Sequence, residues 1–167
     1  PDTDAIDYDG VDNGIINNCT ISGLDGFNSD GIDIGEQAIN INIDSVFICN
    51  ITDKGISVGQ LSSVNVENCT FVNCNLGLGL KDSSHIHINH CTFYGVGIPI
   101  SCFEKNAGSA GGNAYVSNCI LSNSYTASFF ADSRSSIHLN NCISDNDTLP
   151  KSSSNIFANP LFVNPTD

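Results

Sequence analysis

The 167-residue sequence predicts an all-β protein folded as a right-handed parallel β-helix, a solenoid of about six to seven coils. Three observations support this prediction. A segment recurs every 22–28 residues, each copy contains short stretches in which apolar and polar residues alternate, and no apolar pattern has the period of an α-helix. The hydrophobic content of 40% is sufficient for a core. We expect one domain over residues 1–167 that is a fragment of a longer chain.

The repeat is marked by an apolar residue that follows a polar one and begins a short apolar segment. The six copies of this anchor are Cys19, Val46, Cys69, Cys91, Cys119 and Cys142. In a β-helix, equivalent residues of successive coils stack about 4.8 Å apart, so we expect five of the eight Cys in one buried ladder. These thiols are expected to fill the core rather than to form disulfides or a zinc site. The residue before each anchor is expected at a bend, where Asn amides stack in a ladder.

Two alternating apolar pairs precede most anchors along the chain. Ile41 and Ile43 form the nearer pair of one copy, and Ile32 and Ile34 form the farther pair. Each coil therefore contains two or three short strands, which are not stable in isolation. Apolar side chains are expected to face the core and the intervening residues to face solvent. Leucine-rich repeats have a similar period, but their fixed Leu spacing is absent.

The charge of the chain excludes some classes of partner. Eighteen acidic residues face five basic ones, a net charge of -13, and residues 1–53 contain no Lys or Arg. Nucleic acid needs clustered basic residues and is therefore excluded as a partner, and anionic membrane surfaces are disfavoured for the same reason. No apolar stretch approaches the roughly 20 residues of a membrane span, so membrane insertion is not expected. Cations, or polymers bridged by cations, are the expected partners.

Aligning the coils on their upstream strand brings carboxylates together. Three outward columns are predicted: Asp7, Asp33, Ser57, Gly79 and Pro99; Asp4, Asp30, Lys54 and Leu76; and Asp9, Gly35, Gly59, Lys81 and Ser101. Asp53 lies at the same strand edge, beside Lys54. Like charges this close must share protons, pair with Lys or bind a cation. We expect calcium, held by Asp4, Asp7, Asp9, Asp30 and Asp33, because it takes 6–8 oxygen ligands. A solvated acidic face with an Asp30–Lys54 stack, and a catalytic site, remain as alternatives.

Residues 28–33, Asn-Ser-Asp-Gly-Ile-Asp, resemble the Asn-Thr-Asp-Gly-Ile-Asp stretch of polygalacturonases. Residues 53–59 lie where that family has an Asp-Asp pair followed by a strand. The resemblance implies that Asp30 and Asp53 act on a glycosidic bond, one activating water and the other protonating the leaving oxygen. Lys54 replaces the second aspartate of the pair, and Leu76 replaces a histidine.

Residues 80–84, Leu-Lys-Asp-Ser-Ser, resemble the Val-Lys-Ser-Ser stretch of alginate and chondroitin lyases, which are members of the wider pectin-lyase superfamily. The resemblance implies that Lys81 is the base that removes a proton beside a uronate carboxyl, with calcium neutralising the acid. Lys54 is a second candidate base. Asp33, with Glu104 and Lys105 in the long 101–113 loop, is expected to contact the sugar.

Over nearly its whole length the chain is similar to β-helix segments of large secreted bacterial proteins, some of which carry CotH-kinase-like or lamin-tail modules. The stretches that carry this likeness are 53–59, 79–84, 103–106 and 155–162. The expected protein is therefore an extracellular or cell-surface module, bacterial in origin, that engages acidic or calcium-bridged polysaccharide, with lyase activity left open. The alternatives are a non-catalytic structural or adhesive solenoid and a degenerate polygalacturonase-like hydrolase.

Overall fold

The computed structural model describes residues 3–146, 149 and 154–163. The described chain winds into a parallel β-solenoid with three faces and contains no helix. Face A contains β1 (Ile6–Asp9), β4 (Ile32–Gly35), the second halves of β6 (Phe47–Val58) and β8 (Thr70–Lys81), β11 (Ile98–Phe103) and β14 (Phe130–Ala131). Face B contains β2 (Ile15–Asn17), β5 (Ile41–Asp44), β7 (Ser63–Glu67), β9 (His85–Asn89), β12 (Asn113–Ser117) and β15 (Ser136–Asn140). Face C contains β3 (Thr20–Leu24), the first halves of β6 and β8, β10 (Thr92–Tyr94), β13 (Ile120–Ser122), β16 (Ile143–Ser144) and β17 (Ile156–Phe157).

The alternating apolar pairs form the core, as predicted. Ile41 pairs with Val64 and Ile43 with Val66 on adjacent coils, and all four side chains are buried. Because successive residues of a strand point to opposite faces, the same register holds the polar residues between them outside. The predicted parallel β-helix is therefore confirmed.

Aromatic side chains stack in the same way on face C of the core. Phe71 and Phe93 occupy paired positions on adjacent coils, with ring centroids 4.6 Å apart and planes within 7° of parallel. This distance is close to the spacing between neighbouring strands, so the rings stack without distorting the sheet.

The cysteines form the predicted ladder against the core, and all eight are free thiols. Four of the five cysteine anchors are buried: Cys69, Cys91, Cys119 and Cys142. Cys19, in the first coil, is partly exposed. No disulfide is present among the described residues, and the buried thiols point to backbone carbonyls, such as Cys69 Sγ to Glu67 O at 3.0 Å. These side chains therefore act as small core residues.

The bend between faces B and C explains the polar residue before each anchor. Its φ angle lies between 50° and 55° in every copy: Asn18, Ser45, Asn68, His90, Asn118 and Asn141. Asn tolerates this left-handed conformation better than most residues. The amide of Asn68 donates to Asp44 Oδ1, and that of Asn118 donates to Asn89 Oδ1, both at 2.8 Å. In a direct amide ladder each Asn would bind the equivalent residue of the preceding coil. These two amides instead bind the residue just before that equivalent position.

One predicted register is wrong. In face A, Ser101 lies beside Gly79 and Phe103 beside Lys81, whereas the sequence alignment placed Pro99 and Ser101 there. Ile98, Ile100 and Cys102 alternate with a period of two, so a shift by two residues keeps every side chain on its predicted face. Only the hydrogen bonds between coils distinguish the two registers.

The corner between faces C and A varies in length from coil to coil. This variation positions the side chains at the edge of face A. From Leu24 to Asp30 the chain makes a loop, whereas the next coil passes from Ile51 to Lys54 through a bulge that contains Asp53. The coil after that runs from Cys74 to Leu76 with a single residue between them. No helix of the described chain is long and apolar enough to cross a membrane.

Candidate functional site

The outward side of face A carries the predicted acidic column. Asp7 and Asp33 are paired in register on adjacent coils, and Ser57 and Gly79 continue the column. Asp9 lies two residues from Asp7 on the same side of the strand. Partial burial, followed by the charges of Asp9 and Asp33, raises the pKa of Asp7. This column, Asp7, Asp33, Ser57, Gly79 and Ser101, is called the acid column below.

Lys54 lies beside the acid column in an ion-pair cluster. Its Nζ is 3.0 Å from Asp30 Oδ1 and 2.5 Å from Asp53 Oδ2. The backbone N–H of Lys54 also donates to Asp30 Oδ1, at 3.1 Å. Burial alone lowers the pKa of Lys54, but the hydrogen bond to Asp53 and the charge of Asp30 outweigh it and raise that pKa above its usual value. Lys54 is therefore held as an ammonium.

This cluster bears on two expectations from the sequence. A base must offer a free amine, and Lys54 offers an ammonium bound by two carboxylates, which argues against Lys54 as the base. An inverting hydrolase needs room for a water between its carboxylates, whereas Asp30 and Asp53 both bind the same Lys54 Nζ. The arrangement matches the alternative in which Asp30 and Lys54 form a structural stack.

Lys81 differs from Lys54 although both are buried lysines of face A. Its side chain crosses the neighbouring coil, where a Cβ built on Gly59 would lie 3.3 Å from Lys81 Cε. Only 7% of the residue is exposed, and no hydrogen bond or ion pair reaches its Nζ within the described chain. Burial lowers the pKa of Lys81, and the charge of Asp33 opposes that shift. Lys81 therefore keeps the properties expected of a base.

An orphan hydroxyl lies on the same surface. Ser57 Oγ is buried and has no hydrogen-bond partner among the described residues, and it lies at the position of the acid column between Asp33 and Gly79. A Cβ built on Gly79 would lie 2.6 Å from Lys54 Cδ, so the stem of Lys54 covers this part of the column. A buried hydroxyl without a partner is costly, and sites that bind ligands tolerate it.

Two carboxylates, one in the 101–113 loop and one on the preceding coil, accept hydrogen bonds from the backbone of that loop. Glu104 Oε1 accepts hydrogen bonds from the backbone N–H groups of Gly108 and Ala110, both at 2.9 Å. Asp82, on the preceding coil, accepts from the backbone N–H groups of Lys105 and Asn106, also at 2.9 Å. Glu104 Oε1 also lies 3.4 Å from Arg134 Nε, so this oxygen is occupied, and the sugar contact of Glu104 stays a prediction. The Lys105 residue is exposed, so its sugar contact stays a prediction.

The predicted calcium ligands divide into two groups. Asp4 Oδ1 accepts a hydrogen bond from the backbone N–H of Asp30, and Asp30 itself is paired with Lys54. Asp7, Asp9 and Asp33 remain on the outward surface. Among the described residues no three His, Cys, Asp or Glu side chains are grouped to hold a metal ion. Calcium remains a prediction, and most of its 6–8 oxygen ligands would have to come from another molecule or from water.

A second concave surface was missed by the sequence analysis. Two clefts, of about 460 and 410 Å³, lie along the corner between faces C and A and share Thr52 and Asn75. The first also contains Asp25, Phe27, Asn28 and Asp53, and the second also contains Asn50, Asn73 and Tyr125. We call the two clefts together the corner groove. The signal in the sequence was Phe27, an aromatic residue within the polar 25–30 loop.

The solenoid defines the class of this protein as a parallel β-helix. Residues 2–148 match the family described as the right handed beta helix region, and the chain belongs to that family. This agrees with the predicted relation to the pectin-lyase-like superfamily. No curated protein and no solved structure matches the chain.

Proposed function

We propose that this chain is an extracellular module that binds acidic polysaccharide through calcium held on the outward side of face A. The observation that carries the proposal is the in-register pair Asp7 and Asp33. Two carboxylates about one strand spacing apart attract a divalent cation, which relieves their repulsion. Because the protein supplies few ligands there, uronate carboxylates of the polymer would complete the coordination.

The charge of the chain makes the cation necessary. At a net charge of -13 the protein repels a polyanion, and the acid column concentrates that repulsion on one face. A calcium ion shared between Asp33 and a uronate converts the repulsion into a bridge. A β-helix suits such a ligand because its coils repeat at a fixed spacing, as the units of a polymer do.

Lys81 supports a second candidate function, a polysaccharide lyase. The neutral amine of Lys81 would take the proton from the carbon beside the uronate carboxyl. The electron pair left on that carbon then forms a carbon–carbon double bond, and the glycosidic oxygen leaves with a proton from water. The specific observation is a buried lysine, without a partner in the described chain, beside Asp33 and the orphan hydroxyl of Ser57.

The environments of Lys54 and Lys81 also distinguish the competing functions. The paired Lys54 favours a non-catalytic structural or adhesive solenoid, because a pair of this kind closes a strand edge. The occupied Asp30 and Asp53 disfavour a polygalacturonase-like hydrolase. The unpaired Lys81 favours the lyase over both.

Binding and product analysis test the proposal together. The protein is titrated with pectate, alginate and glycosaminoglycans, in calcium and in EDTA, and the polymers are then analysed by mass spectrometry. We expect calcium-dependent binding that Asp33→Asn weakens, whereas the matched control Glu67→Gln on face B leaves it unchanged. Unsaturated products that disappear in Lys81→Met establish the lyase. Intact polymer without binding in either condition rejects the proposal in favour of a structural solenoid.

A further inference from the structure

We propose that the corner groove is a second binding site, which takes uncharged sugar units without calcium. It is separate from the outward acid column of face A and does not depend on the function proposed above. Four features carry the inference: two exposed aromatic rings, free amide side chains between them, the absence of basic groups from the lining, and a length that suits a short oligosaccharide.

Phe27 is held at one end of the groove although it contacts little else. The residue is 96% exposed. Thr52, on the next coil, fixes the loop that carries it, because its Oγ1 accepts from the backbone N–H of Gly26 at 3.0 Å and lies 2.9 Å from Gly26 O. The structure thus presents an apolar ring to solvent on a loop tied to the solenoid, where the ring is free to stack on a ligand.

Tyr125 lies at the other end and is fixed by two contacts. Its hydroxyl donates to Cys74 O at 3.4 Å, across the intervening coil. Its ring covers Gly97, where a Cβ would lie 2.9 Å from Tyr125 Cζ. A side chain at position 97 would displace the ring, so glycine there allows the ring to lie against the corner. The residue is still 65% exposed, which leaves ring surface for a ligand.

Free amides lie along the groove between the rings. The side chains of Asn28 and Asn75 are exposed and make no hydrogen bond within the described part of the chain. Each amide offers two donor hydrogens and an acceptor oxygen, which matches the paired donor and acceptor character of sugar hydroxyls. Asn73 Nδ2 donates to Asn50 Oδ1 at 3.4 Å, so the second cleft carries a further amide pair on its outer side.

The lining selects the class of ligand. It contains no Lys or Arg, and it includes Asp25 and Asp53, so a polyanion finds no partner there. Aromatic rings with a few polar groups, rather than an aliphatic surface, fit a sugar better than a lipid. The corners that carry Phe27 and Tyr125 are four coils apart, about 19 Å, and the Tyr125 hydroxyl reaches back to Cys74 on the coil of Asn75. This length suits a short oligosaccharide segment.

Titration in EDTA separates this site from the face A site. The probes are the neutral hexasaccharides of cellulose, mannan, xylan and laminarin, together with an array of neutral glycans, and binding is measured by calorimetry and NMR. We expect at least one neutral probe to bind in EDTA, with a loss of tenfold or more in Phe27→Ala and in Asn75→Ala. Phe47→Ala, an exposed aromatic residue of face C, is the matched control and should leave the affinity unchanged. Melting temperatures show whether each variant is folded.

The outcomes for the two sites are distinguishable. Neutral binding in EDTA that requires Phe27 and Asn75 supports the corner groove, even if calcium-dependent binding of polyuronates fails. Calcium-dependent binding of polyuronates that requires Asp33, with no neutral probe bound in EDTA, overturns the corner groove and retains the face A proposal. Neutral binding that all the groove variants keep also overturns it.

Discussion

Lys54 Nζ lies 3.0 Å from Asp30 Oδ1 on the preceding coil, and the backbone N–H of Lys54 donates to the same oxygen. Asp30 Oδ1 thus binds both the main chain and the side chain of Lys54 on the next coil. Asp53, in the bulge just before Lys54, binds the other side of the ammonium. The cluster fixes the corner at which the chain enters face A.

Removal of Lys54 should therefore destabilise the solenoid. In Lys54→Met the buried Asp30 loses its charge partner, and we expect the free energy of unfolding to fall by about 3–5 kcal/mol. Urea denaturation measures the change. Lys105→Met removes the same charge from an exposed residue and should have little effect. The double variant Asp30→Asn with Lys54→Met should recover part of the loss, because only the partly exposed Asp53 is then left without its charge partner. A loss below about 1 kcal/mol would show that the pair behaves as a surface ion pair.

Replacement of Lys81, unlike replacement of Lys54, should not destabilise the protein at neutral pH. The folded-state pKa of Lys81 is lowered by burial, so the unfolded chain binds more protons at any pH between that folded-state pKa and the ordinary Lys value. The burial of the ammonium therefore costs stability below the folded pKa, and the cost is relieved as the pH rises towards the ordinary Lys value. We expect Lys81→Met to be as stable as the parent or more stable at pH 7, with the difference shrinking at pH 10. A clear loss of stability at pH 7 would show that the ammonium has a partner.

The fold was predictable because stacking forces every coil to repeat the same inward pattern. The anchors from Cys19 to Cys142 and the alternating pairs therefore predicted the strands, the faces and the ladder of cysteines. The register of the fifth coil was not predictable, because Ile98, Ile100 and Cys102 alternate equally well after a shift by two residues. A pattern of period two contains no information about that shift.

The candidate site was predictable only in part. The columns that contain Asp7, Asp33 and Lys54 follow from the repeat, since they lie on strands. The role of Glu104 inside its own loop depends on backbone N–H groups whose direction no residue pattern specifies. The corner groove combines a loop of the second coil with Tyr125 of a later one, so it exists only in the folded chain.

Neutralising Asp7 should stabilise the protein at neutral pH. The folded-state pKa of Asp7 is raised, so its protonated form is favoured on folding, and that stability is lost as the pH rises through the folded pKa. At pH 7 the charged carboxylate is therefore unfavourable. We expect Asp7→Asn to raise Tm by about 1–3 °C in EDTA at low salt, a small change because the residue is exposed. Differential scanning fluorimetry at pH 3 should show no increase, and high salt should reduce it. An equal increase at pH 3 would assign the effect to packing instead.

Calcium and a uronate polymer should stabilise the protein together more than the sum of their separate effects. The outward carboxylates Asp7, Asp9 and Asp33 supply only part of a calcium coordination shell, so calcium alone should bind weakly. Oligogalacturonate alone should be repelled by the acid column. With both present, a complex at 100 times its Kd adds about 2.7 kcal/mol to the folded state, which raises Tm by about 5–10 °C.

The same melting experiment identifies the ligands of that calcium. Asp33→Asn should remove the joint increase in Tm, because it takes a carboxylate from the centre of the cluster, and EDTA should remove it in the parent. Glu67→Gln changes the charge equally on face B, where its side chain still accepts from Asn89 Nδ2, and should keep the increase. If calcium alone gives the full increase, the protein completes the coordination by itself and the polymer is not a ligand. If the joint increase survives in Asp33→Asn, the cation binds elsewhere than on the acid column.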